Sequence, residues 1–139
     1  MKILAVSDVE LESIYNPNIA QCYGDVDLVI GCGDLSYYYL EYIISSLDVP
    51  LYFVRGNHNH LLEYSVAGTR TYPWGAVDLH RRSCRDDSGL LLAGIEGSLR
   101  YREGPYQYSE PEMWLFVLEL AVSLMGNRLI YGRFLDVLV

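Results

Sequence analysis

Positive charge is scarce in this sequence: 10 Lys and Arg stand against 18 Asp and Glu, a formal net charge of −8. That balance argues against a bare nucleic-acid binder, because phosphate backbones reward clustered Lys and Arg. The one basic cluster, Arg81, Arg82 and Arg85, runs straight into Asp86 and Asp87 and reads as a solvated hairpin tip rather than an anion site. Cysteine is equally sparse. Cys22, Cys32 and Cys84 show no zinc-type or CxxC spacing, and an odd, thin set fits a reducing compartment better than a disulfide framework. Long apolar runs are missing too. The longest, Met113 to Met125, is shorter than the roughly 20 residues a bilayer needs and contains Glu119. Met1 to Val6 is too short, and too quickly followed by Ser7 and Asp8, for a secretory signal. The expectation is a cytoplasmic protein with no nucleic-acid patch and no membrane segment.

What is present is enough for a core. Half of the 139 residues are apolar and a fifth are charged, which argues against disorder. No repeat, low-complexity tract or Gly/Ser-rich linker divides the chain, so residues 1–139 read as one domain.

The chain opens on Lys2 to Val6, a short apolar run of the kind that forms a strand buried on both faces. Asn16-Pro17 reads as an N-cap and first helical residue, with Gly24 as the stop. Leu28 to Cys32 is a second buried strand. From Leu35 to Leu47 the apolar and aromatic residues recur at helical spacing, Pro50 breaks the pattern, and Leu51 to Val54 is a third strand. Strand, helix, strand, helix, strand predicts a parallel α/β sheet. Farther on, Ala76 to Leu79 and Leu90 to Ile95 read as an antiparallel hairpin turning at Asp86-Asp87-Ser88-Gly89. Ser109 with Glu112 is a capping box opening a helix that runs at least to Met125 and is apolar almost all round, so it needs cover on more than one side. Phe134 to Val139 reads as one more buried strand.

Polar residues mark the ends of the first three strands: Asp8 with Glu10, then Asp34, then Asn57 and His58. Open parallel sheets bind ligands at the carboxyl ends of their strands. Acidic and amide oxygens converging there suit a hard cation such as Mg²⁺ or Mn²⁺. Taken singly, Asp8 and Asp34 are also good helix caps and Asn57 a good turn residue; it is their succession that points to a site.

The ordered segments Ser7-Asp8-Val9-Glu10, Gly31-Cys32-Gly33-Asp34 and Gly56-Asn57-His58-Asn59 resemble the first three motifs of the calcineurin-like metallophosphoesterases, D-x-H, G-D and G-N-H-(D/E). The helix from Tyr37 and the segment Leu92 to Ser98 also fit, so the resemblance covers the whole chain. It implies the family's α/β sandwich and hydrolysis of phosphate mono- or diesters by metal-activated water. In the family two metals, about 3.5–4 Å apart, clamp the phosphate. Carried over, Asp8 binds one metal, Asp34 bridges both, Asn57 binds the second, and His58 acts as general acid on the leaving oxygen.

Three departures qualify that picture. Glu10 stands where the family has a metal-binding histidine; it either ligates, shifting preference from Fe or Zn toward Mn or Mg, or faces solvent. Asn59 replaces an acid. The family's later histidine and its G-H-x-H motif have no counterpart, for His60 reads as a surface loop residue and His80 as a hydrogen-bonded structural one. The expectation is therefore an incomplete or weakened site, holding one cation rather than two, in a domain incomplete at its C-terminus. A homo-oligomer, or a partner chain supplying the missing half, would follow. An interaction module on the same fold is the competing reading, and an unrelated flavodoxin-like domain a third, although no phosphate-cradling loop follows the first strand. The many tyrosines read as core packing, with the Tyr101 to Tyr108 loop the place for substrate contact if the chain is an enzyme.

Overall fold

The computed structural model describes residues 1–66 and 68–139. Its elements are β1 (Ile3–Val6), α1 (Ile19–Tyr23), β2 (Leu28–Cys32), α2 (Tyr37–Leu47), β3 (Leu51–Val54), β4 (Glu63–Ser65), β5 (Gly68–Arg70), β6 (Ala76–Asp78), β7 (Arg82–Arg85), β8 (Leu91–Gly94), β9 (Ser98–Leu99), β10 (Gln107–Tyr108), α3 (Glu110–Tyr131) and β11 (Val137–Leu138). The chain is a mixed α/β protein. A four-stranded sheet runs β1-β2-β3-β6, all parallel, and a three-stranded sheet runs β11-β8-β7, with β8 antiparallel to β7 and parallel to β11.

Alternation along β2 and β3 organises the layers, since successive side chains leave opposite faces of a sheet. Val29, Leu51 and Phe53 pack with Ile19, Tyr39, Leu40 and Ile43 of α1 and α2. Leu28, Ile30, Tyr52 and Val54 face the other way, onto Leu79 and Leu92, with Cys84, Val137 and Val139 joining them from the second sheet. Both faces of β2 and β3 are thus covered, and the two sheets pack on each other. Local signals agree with these elements. Ser36 caps α2 by accepting the Tyr39 N–H at 3.2 Å, and Asp48 ends it in a left-handed conformation just before Pro50. Ser109 and Glu112 form the expected box at the start of α3, the Ser109 N–H donating to the Glu112 carboxylate at 2.7 Å.

Several expectations need correction. β1 is an edge strand, with Ile3 exposed and only Val6 buried, because no strand among the described residues pairs beyond it. α1 starts at Ile19, since Asn16 spends its side-chain oxygen on the Asn18 N–H in a local turn. Ala76 to Asp78 does not form the hairpin but joins the parallel sheet beside β3. The hairpin partner of β8 is β7, so Arg82 and Arg85 lie on a strand and the tip is Asp86 to Gly89, with Asp86 buried. There Asp86 accepts from the Tyr52 hydroxyl at 2.9 Å and from Ser88. Burial pushes its carboxyl up, but the Ser88 and Tyr52 hydrogen bonds outweigh it and hold the group below the ordinary aspartate value. The terminal strand β11 is two residues long, with Phe134 and Leu138 exposed.

The largest difference concerns α3. It lies against the second sheet, where Asn127 donates to the Ser83 hydroxyl at 2.6 Å and Arg81 pairs with Glu119 at 2.5 Å. Only Phe116 and Leu120 are buried, while Trp114, Leu118, Val122, Met125, Leu129 and Ile130 are exposed. Its 22 residues make it long and apolar enough to cross a membrane by length and composition, which the shorter stretch Met113 to Met125 did not suggest. The cover that its apolar faces call for is not supplied by the described residues.

Candidate functional site

The carboxyl ends of β1, β2 and β3 lie side by side, and the turns that follow them are stitched together. After β1 the Asp8 N–H donates to the Gly33 carbonyl at 3.2 Å, which brings Asp8 to the Gly33-Asp34 turn. Asp8 (φ 61°) and Asp34 (φ 58°) both adopt the left-handed backbone conformation. That conformation is uncommon for residues with a Cβ, costs of order 1 kcal/mol or more, and recurs at functional sites. Gly33 and Gly56 let the second and third turns touch. A Cβ on Gly56 would lie 2.0 Å from Asp34 Oδ1, so only glycine fits beneath that carboxylate.

Asp34 and His58 form the centre. Asp34 Oδ1 accepts the His58 backbone N–H at 2.7 Å, and Oδ2 lies 3.4 Å from His58 Nδ1. The carboxylate is largely buried, while the imidazole is 59 % exposed and reaches outward. On its far side, His58 Nε2 stands 3.4 Å from the Tyr101 hydroxyl, which accepts a hydrogen bond from Asn57 Nδ2 at 2.8 Å. Asp34 and His58 line an open cleft of about 680 Å³, together with Ser36, Tyr38, His60 and Glu63. Burial raises the Glu63 carboxyl above the ordinary glutamate value, opposed by the Tyr37 backbone N–H that it accepts.

Each residue singled out in the sequence can now be placed. Asp8, Asp34, Asn57 and His58 share one edge of the sheet. Glu10 instead turns to the entrance of α2, where its carboxylate accepts from the Ser36 N–H at 3.3 Å and from the Ser36 hydroxyl. His60 sits on the cleft, and its carbonyl accepts the Tyr37 hydroxyl at 3.1 Å. His80 is half-buried at the end of β6, where its Nδ1 accepts the Glu96 N–H at 3.1 Å. One contributor escaped the sequence reading. Asn59, read as the loss of a charge, is buried. Its Oδ1 accepts from Asp34 N at 3.0 Å and Gly56 N at 2.7 Å, and its Nδ2 donates to the Leu35 carbonyl at 2.6 Å. It is the clamp that holds the second and third turns together. Tyr101 lies 44 residues from Asn57, in the Tyr101 to Tyr108 loop expected from the sequence to touch substrate if the chain is an enzyme.

Among the described residues no three His, Cys, Asp or Glu side chains lie close enough to bind an ion by themselves. Two carboxylates, Asp8 and Asp34, and the Asn57 amide oxygen are what this edge offers. These are oxygen donors, the kind that could hold a hard cation.

No protein-family model matches the chain, and no curated protein matches it significantly. Its fold does match a solved structure, the crystal structure of TT1561 of Thermus thermophilus, with a TM-score of 0.55 over 90% of this chain. The two sequences are 15% identical, so the likeness is one of fold. The match spans 62% of the longer TT1561 chain, less than two thirds of its length.

Proposed function

We propose that the cleft beside Asp34 and His58 is the site of a metal-dependent phosphoesterase, acting on phosphate mono- or diesters in a weakened form that uses one divalent cation, Mn²⁺ or Mg²⁺. The observation that carries the reading is the Asp34–His58 pair, set at the strand ends beside Asn57 and opening onto a cleft. The order of the strand-end motifs resembles the calcineurin-like metallophosphoesterases, which supports the same reading. Asp34, Asn57 and Asp8 are the residues that would hold the cation, which when bound would polarise the phosphoryl group and make water a better nucleophile. Asp34 orients His58 through Nδ1, which leaves Nε2, 3.4 Å from the Tyr101 hydroxyl, to give a proton to the leaving oxygen. Calorimetry with Mn²⁺ and hydrolysis of bis-(p-nitrophenyl) phosphate test this. One weakly bound equivalent is expected, with slow Mn²⁺-dependent turnover. Asp34→Asn should abolish uptake, and His58→Ala should keep the metal while losing roughly 10²-fold in rate. Turnover indifferent to Asp34→Asn would overturn the reading.

The exposed apolar faces of α3 favour a second reading, an interaction module whose helix docks on another chain or a second copy. Light scattering at micromolar concentration separates the two. A stable monomer with Mn²⁺-dependent activity removes this reading, and an oligomer without activity removes the first.

A further inference from the structure

We infer that Tyr101 and Arg102 form the wall of the site that touches the phosphoryl group, Tyr101 through its hydroxyl and Arg102 as the cation for the phosphate oxygens. The inference rests on the phosphoesterase reading and adds to it the residues that recognise the substrate's charge.

Tyr101 is 63 % exposed, yet its hydroxyl is fixed between two residues of the site, 2.8 Å from Asn57 Nδ2 and 3.4 Å from His58 Nε2. Because it accepts from Asn57, its own proton is free to point at His58 or at a substrate oxygen in front of it. The loop that carries it is built to stay there. Gln107, 4 % exposed, accepts the backbone N–H groups of both Tyr101 (3.4 Å) and Arg102 (3.2 Å) on one side-chain oxygen. A Cβ on Gly104 would lie 2.7 Å from Gln107 Nε2, so the chain passes close over that amide. Arg100 grips the Gln107 carbonyl from Nε and an Nη, both at 3.3 Å, and reaches Glu112 on the first turn of α3 at 3.6 Å. The loop is thereby tied to β10 and α3.

Charge then singles out Arg102. Among the described residues, those lining the cleft include the carboxylates of Asp34 and Glu63 and no Lys or Arg. A phosphate ester drawn to that edge needs more positive charge than one cation supplies. Arg55, at the end of β3, is held by Asp78 at 2.5 Å and Glu96 at 3.2 Å, and Arg100 by Glu112. Arg102 has no ion pair among the described residues. Its guanidinium lies 5.4 Å from the centre of the Tyr101 ring, a cation–π contact that ties the charge to the side chain whose hydroxyl reaches Asn57 and His58. A planar guanidinium next to a hydroxyl donor suits phosphoryl oxygens.

The test uses inorganic phosphate as the probe, titrated into the whole chain by calorimetry with and without Mn²⁺. Tyr101→Phe keeps the ring and removes the hydroxyl; Arg102→Ala removes the charge on an exposed side chain and leaves the fold intact. Each should weaken phosphate binding about tenfold, as expected for a hydrogen bond to a charged group, while Mn²⁺ affinity changes less than about twofold. Arg102→Lys should recover part of the loss, because charge returns without the fork, and Glu103→Gln should behave as wild type. Mn²⁺ uptake with phosphate binding indifferent to both substitutions overturns the inference and leaves the metal reading standing. Phosphate binding that follows Tyr101 and Arg102 in a chain that takes up no Mn²⁺ does the reverse. A wild-type chain that binds no phosphate overturns the inference outright.

Discussion

Arg55 and Asn57 stand two residues apart at the end of β3, yet they belong to polar centres of opposite character. Arg55 is closed in. Its Nη1 donates to Asp78 and Glu96, its Nε to the Tyr37 hydroxyl at 3.3 Å, and its guanidinium lies over the rings of Phe53 and Tyr106. Glu96 in turn accepts the Tyr108 hydroxyl at 2.6 Å and borders His80, whose ring stacks on Tyr108 and meets Phe116 edge-on. Its charges are paired and its hydroxyls engaged. Around Asn57 the reverse holds: His58 is exposed, Tyr101 keeps a proton to give, and Arg102 has no acid among the described residues. A saturated, largely buried network specifies structure, whereas donors left exposed are available to a ligand. The difference separates what builds this end of the molecule from what can act there.

The sharpest way to break the comparison is to cut the closed centre. Arg55→Ala leaves Asp78 and Glu96 facing one another without their cation. Breaking a fully buried pair by removing one partner costs about 3–5 kcal/mol, and this part-buried centre should lose about 3 kcal/mol. His58→Ala, by contrast, removes an exposed ring and should stay within about 0.5 kcal/mol of wild type. Urea unfolding of the two variants should give a large fall in midpoint for the first and almost none for the second. Equal losses would mean that the open centre is structural as well.

Next in size is the Asn59 clamp that joins the turns after β2 and β3 beneath the open centre. Asn59→Ala orphans the N–H groups of Asp34 and Gly56 and frees the Leu35 carbonyl. Losing these bonds in a buried position should cost about 2 kcal/mol. It should also loosen Asp34, so Mn²⁺ uptake should fall by roughly tenfold although no proposed ligand has been touched. Calorimetry beside an unfolding curve reads both effects. A stability loss with unchanged metal uptake would show that Asp34 is positioned by Gly56 and His58 alone.

Much of this was legible in the chain itself, and the pattern of what was not is physical. β2 and β3 were readable to the residue because strands covered on both faces are continuous apolar runs. The strand-end Asp34, Asn57 and His58 were readable because glycines at 33 and 56 mark where the backbone turns. The clamp was not, since an asparagine in a turn signals only a turn until its three partners, two of them some 25 residues earlier, come into reach. Nor was the pairing of Ala76 to Asp78. A short strand carries its alternation but not the identity of its neighbour, and β3 offered an open edge that the hairpin did not need. β1 failed for a related reason, because an apolar run reads as buried whether or not a strand lies beyond it. The closed centre around Arg55 draws on Tyr37, Asp78, His80, Glu96 and Tyr108, five places with no common spacing.

The smallest expected effect is also within that closed centre, and it turns on His80. Burial beneath Tyr108 and Phe116 lowers its affinity for a proton, opposed by the nearby carboxylates of Glu96 and Asp78, and the net direction is below the ordinary histidine value of 6.5. The unfolded chain then binds a proton at this position at a higher pH than the folded chain does. Stability contributed by the neutral, buried imidazole is therefore full above about pH 6.5 and declines as the pH falls through that value toward the folded pKa. One proton limits the slope to about 1.4 kcal/mol per pH unit. His80→Gln keeps an acceptor for the Glu96 N–H and does not titrate, so its unfolding midpoint should fall less than that of wild type between pH 7.5 and pH 5.5. Parallel decline in the two proteins would place the acid sensitivity elsewhere, and would make the closed centre as indifferent to pH as its saturation with hydrogen bonds suggests.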